Sequence, residues 1–95
     1  MTRIFVRHRV KDYPHWLEVF EGFIKTRKAG GEKSYQIFHD GTDENNLYLM
    51  FEWDNEANAR KFFDSPVLKD TMKKAGVADT PEIHFLKEAT QGVLQ

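Results

Sequence analysis

The sequence predicts an α+β domain whose elements run β-α-β-β-α-β. Three observations carry that expectation. Residues 3–10, 33–40, 47–53 and 82–87 read as short strands rich in Val, Ile, Phe, Tyr and Trp. An apolar stripe at helical spacing follows the first of them, and two shorter helical patterns precede the last. Gly, Pro and Asx/Ser punctuation falls at the joints between these segments. The 95 residues amount to one domain, with 3–88 as its core and a short C-terminal tail.

Taken in order, residues 3–10 alternate, with Ile4, Val6, His8 and Val10 on one side and Phe5, Arg7 and Arg9 on the other. Period two is the mark of a strand. Asp12, or Tyr13 before Pro14, then opens a helix. Tyr13, Trp16, Phe20, Phe23/Ile24 and Arg27 recur along one face of that helix, and Gly30-Gly31 stops it. Residues 33–40 and 47–53 form a hairpin around the polar stretch 41–46. Asp54 or Asn55 caps a helix reaching Asp64. Ser65-Pro66 pairs a capping residue with Pro at the first helical position, so a separate helix begins there and ends at Gly76. Pro81 leads into the last strand, 82–87.

This order is the ferredoxin-like plan, a four-stranded antiparallel sheet with the helices on one face. The other face would then be bare and should carry polar residues at alternate positions. It does not. Leu47, Leu49, Phe51 and Trp53 share one side of their strand, yet Tyr48 and Met50 occupy the other. Phe38 opposes Tyr35 and Ile37, and Leu86 opposes Ile83 and Phe85. An apolar patch this wide exceeds what monomers usually expose. The sequence therefore predicts a homodimer through the open sheet face, on whose rim Arg7 and Arg9 pair with acids such as Glu52.

Composition excludes several classes. Lys plus Arg number 14 and Asp plus Glu 15, so no basic field exists to drive nucleic-acid binding. Cys is absent, which removes thiolate nucleophiles and Cys-ligated metals. Four scattered His without an HxH or HExxH spacing give no metal motif. Neither Ser34 nor Ser65 lies in a nucleophile elbow. Charges interrupt the N-terminal strand, so no signal-peptide core forms, and the longest apolar run, 47–51, cannot span a membrane. The expected location is cytoplasmic.

The strings Val6-Arg-His8-Arg-Val-Lys-Asp12-Tyr13-Pro-His-Trp16, Phe51-Glu-Trp53-Asp54, Ala59-Arg-Lys-Phe-Phe63, Ser65-Pro66-Val-Leu68 and Met72-Lys-Lys-Ala-Gly76 carry a family signature. Together they resemble small dimeric α/β-barrel proteins of the antibiotic-biosynthesis-monooxygenase superfamily, in a subgroup partly labelled cyclases. The resemblance implies a ligand pocket between sheet and helices, and a dimer formed by two packed sheets. It implies either cofactor-independent oxygenation or cyclase/isomerase chemistry on a small hydrophobic or aromatic ketone-type compound. Haem-degrading relatives carry an Asn on the first strand and an axial His on the later helices. This chain has neither in those places, so haem binding of that type is not expected, and the expected cofactor set is empty.

Six residues are candidates for the site. His8, set among apolar neighbours, is either a general base or a hydrogen-bonded core histidine. Trp16 and Phe20, with Phe23 in the same stripe, are either core or a flat wall for a planar ligand. Trp53 either closes that cavity or packs at the end of the sheet. Arg27 stands where the stripe asks for an apolar residue. It either meets a ligand carboxylate or enolate, or pairs with an acid at a strand end. Met72 is core filler or adaptable pocket lining. Whether His8 and His84 face one another depends on strand parity. The alternative to an enzyme is a non-catalytic homodimer that binds a small molecule or serves as an interaction module.

Overall fold

The computed structural model describes residues 2–95. Its elements in chain order are β1 (Thr2–Arg9), α1 (Tyr13–Gly22), α2 (Ile24–Gly30), β2 (Glu32–Asp40), β3 (Asp43–Trp53), α3 (Glu56–Phe63), α4 (Pro66–Ala75) and β4 (Glu82–Leu86). The strands form one antiparallel sheet in the order β2-β3-β1-β4. This is the ferredoxin-like α+β arrangement that the sequence predicts.

Register decides which side chains meet. Ile4 lies between Phe51 and Phe85, Val6 between Leu49 and Ile83, and His8 beside Leu47. These residues look toward the helices and build the core with Trp16, Ala59 and Ala75. The opposite face is a grid of three rows. They read Phe38-Tyr48-Arg7-Glu82, Gln36-Met50-Phe5-His84 and Ser34-Glu52-Arg3-Leu86. Its middle is apolar, and Phe38 and Leu86 are 51% and 40% exposed. Phe5 pairs with His84, so His8 and His84 lie on opposite faces of the sheet.

Local chemistry sets the boundaries. Asp12 accepts the His15 N–H, Asn55 the Asn58 N–H and Ser65 the Val67 N–H, each as an N-cap. Gly31 has φ +123°, and a Cβ there would collide with the Asp54 carboxylate. Only glycine satisfies both conditions.

Three local expectations change. The helix expected to run from Tyr13 to Gly30 is broken at Phe23, just after Gly22, a weak helix former. The hairpin turn shrinks to Gly41-Thr42, because β3 begins at Asp43. Arg7 meets Asn46, Asp79 and Glu82, and Arg9 meets Asp43, while Arg3 is the partner of Glu52.

Candidate functional site

The sheet and the helices do not close completely on one another. A cavity of about 60 Å³ lies between them. The sheet supplies Val6, His8, Leu49 and Phe51 to its wall. The first helix and the break that follows it supply Trp16, Val19, Phe20 and Phe23, and the last two helices Phe63, Thr71, Met72 and Ala75. The wall is apolar apart from His8 and Thr71. The Thr71 hydroxyl already donates to the Val67 carbonyl at 2.8 Å.

His8 reaches this wall because strand alternation sends it to the same side as Ile4 and Val6. It is 3% exposed. Its ring meets Trp16 edge-on, with centroids 5.8 Å apart at 64°. Nδ1 is buried without a hydrogen-bond partner. Burial pulls the imidazole below its ordinary pKa, opposed in part by the ring's approach to its own backbone and by the charge of Asp79. The ring is therefore neutral at pH 7 and able to accept a proton.

The aromatic wall is a stack. Trp16 and Phe20 lie 4.9 Å apart at 18°, and Tyr13 continues the column 6.0 Å beyond Trp16 at 23°. Their spacing of three and four residues places them above one another on α1. The opposite wall is softer, because Met72 has three rotatable bonds.

A cofactor-independent oxygenase of Streptomyces nogalater, SnoaB, superposes with TM-score 0.76 at 13% identity, covering 95% of this chain and 94% of that one. An antibiotic biosynthesis monooxygenase gives 0.71 at 12% identity, over 95% of this chain and all of the other, 100%. A conserved protein of Methanosarcina mazei gives 0.72 at 15% identity, over 93% and 92%. The fold is that of the antibiotic biosynthesis monooxygenases. No family model matches the chain. No curated protein matches it by sequence. At these identities the likeness speaks for the fold alone, which is the level at which the resemblance read from the sequence stands.

The candidate residues divide. His8, Trp16, Phe20 and Met72 come together around the cavity. Arg27 and Trp53 do not line it. Trp53 is fully buried, 4.9 Å from the ring of Phe62 and 5.9 Å from that of Phe63, at the end of the sheet. Arg27 lies behind Phe20, outside the cavity wall, and is ion-paired with Glu32 at the start of β2. It follows the strand-end acid alternative and is not free to meet a ligand anion in the cavity. Phe51, Phe63 and Thr71 are wall residues that the sequence did not single out as site residues. For Phe62-Phe63 the adjacent aromatics leave open which one turns inward.

Proposed function

We propose that this chain is a homodimeric, cofactor-independent monooxygenase, or a cyclase/isomerase sharing its first step, acting on a small hydrophobic or aromatic ketone-type compound. One observation carries the reading: a buried imidazole nitrogen of His8 without a partner, on a residue that lines an aromatic-walled cavity. A buried polar atom left unpaired costs stability. Its persistence in a site that can take a ligand favours a role with that ligand. The fold shared with a cofactor-independent oxygenase supports the same class.

In this reading the planar body of the substrate lies against Trp16 and Phe20. Neutral His8 removes a proton from the carbon beside the ketone. The apolar wall excludes water, so the carbanion is not quenched. In oxygenation the substrate supplies all four electrons that O2 takes up: a CH2 group and O2 become a carbonyl group and water. In cyclisation or isomerisation the same carbanion attacks a second carbonyl or is reprotonated elsewhere. No cofactor is needed for either. The dimer rests on the open face, where Phe5, Tyr48 and Met50 lie between flanking charges.

The test uses 2-tetralone, a bicyclic ketone with an acidic methylene. Oxygen uptake or proton exchange at that carbon is measured for the wild type and His8→Ala. The expected loss in kcat/KM is at least 100-fold, the lower range for a general base. Undiminished turnover in His8→Ala refutes the assignment. One feature favours the non-catalytic alternative: the wall carries no cation to stabilise an enolate. Tight binding without turnover across aryl ketones would select that alternative.

A further inference from the structure

Arg27 is an expensive residue where it stands. Its side chain is 4% exposed and that of Glu32 is 7%. Arg27 Nε and Glu32 Oε1 are both buried without partners. Buried ion pairs of this kind are often no more stable than an apolar pair of similar volume. An apolar side chain would also continue the stripe of Tyr13, Trp16 and Phe20. The contacts of the pair indicate what it does instead.

The Arg27 guanidinium lies over the Phe20 ring, its carbon 3.7 Å from the ring centroid. Tyr35 stands 5.1 Å from the same carbon. Nη2 donates to the Phe20 carbonyl at 3.2 Å, and Nη1 donates to Glu32. That carbonyl also accepts the Phe23 N–H at 3.2 Å, at the break between α1 and α2. Arg27 therefore grips Phe20 by ring and by backbone from across the break, and β2 grips Arg27 through Glu32. Beyond Phe20 the stack continues to Trp16, which meets His8.

The geometry points to the Arg27–Glu32 pair as a positioning device that fixes the Phe20–Trp16 wall of the cavity across the helix break. It rests on the reading of the cavity as a ligand site. Arg27 and Glu32 are positioning residues, acting through Phe20. The pair thus serves placement rather than stability, and that difference is measurable.

The experiment replaces the pair by Arg27→Met with Glu32→Leu, in the wild type and in Phe20→Leu. The probe is 2-naphthol, followed by quenching of tryptophan fluorescence. Near-UV circular dichroism reports the aromatic stack. The expected result is unchanged or raised thermal stability, at least fivefold weaker probe binding and a reduced near-UV band. In Phe20→Leu, replacing the pair should change the probe Kd by less than 1.5-fold, because the contact that transmits the effect is gone. Wild-type affinity in the paired variant, or losses that multiply with Phe20→Leu, would overturn the inference. If the paired variant does not fold, Glu32→Gln takes its place in the same cycle under the same criteria. If the wild type binds no probe, the ligand-site reading fails. The near-UV band then decides the positioning claim, which stands if the band falls and fails if it does not.

Discussion

His8 and Glu32 pull stability in opposite directions as pH changes, and two substitutions separate them. Burial pushes the Glu32 carboxyl up from 4.5 to about 7, against the pull of Arg27. Between those values the folded chain keeps a proton that the unfolded chain has lost. The contribution is present below 4.5 and is lost as pH rises through 7. It amounts to roughly 3 kcal/mol, at 1.36 kcal/mol per pH unit. His8 works the other way. Burial lowers its imidazole below 6.5, so the unfolded chain takes a proton that the folded chain refuses. That contribution is present above 6.5 and is lost as pH falls toward the depressed folded value. Between the depressed folded value of His8 and 6.5 the two slopes oppose each other. Glu32→Gln removes the falling component, so its stability relative to wild type should rise with pH by about 1 kcal/mol per unit. His8→Gln removes the rising component, and its relative stability should fall with pH. Urea midpoints at about half-unit steps from pH 5 to 6.5 measure both. One protein concentration is kept throughout, so that any self-association contributes equally at every pH. A constant offset for Glu32→Gln across that range would refute the claim that burial outweighs the ion pair. A constant offset for His8→Gln would refute the buried neutral imidazole.

Other expectations follow from single features. Gly31→Ala should cost about 1–3 kcal/mol in urea unfolding, because a left-handed φ and the Asp54 carboxylate both oppose a Cβ. Asn55→Ala removes the cap of α3 and should cost about 1 kcal/mol. Met50→Lys, in the middle of the open face, should give a monomer by sedimentation at micromolar concentration while leaving the core intact. A wild type that is itself monomeric there would defeat the dimer.

The sequence was most legible where a period dominates. Alternation in β1 and β3 assigned Ile4, Val6, Leu49 and Phe51 to one face and Phe5, Tyr48 and Met50 to the other, and the register agrees. Helical spacing likewise put Trp16 and Phe20 on one stripe, and they stack. What escaped was anything set by a break in a period. The interruption at Phe23 cannot be seen in a stripe that continues through it to Arg27. The β2 residues carry two register shifts, so Glu32 could not be paired with a partner in advance. Trp53 shows the limit of parity: it shares a face with Leu49 and Phe51, yet lies beyond the cavity's end. Side-chain parity gives a face, and only packing gives a position along it.

The cavity itself constrains how a ligand could enter. About 60 Å³ is well short of the several hundred typical of pockets that enclose a drug-sized molecule, so some wall must yield. The two sides are not equally able to do so. The Trp16–Phe20 side is stacked ring on ring and gripped by Arg27 from a buried ion pair. The α4 side presents Met72, and α4 is joined to α1 by a hydrogen bond between His15 Nε2 and the Lys74 carbonyl at 2.8 Å. That bond is exposed to solvent, where water can replace it at little net cost. A rigid aromatic wall facing an adaptable helix suits a base on the sheet. In the proposed reading the substrate plane would lie against Trp16 and Phe20 beside His8, and the adjustment that admits it would fall on Met72 and α4.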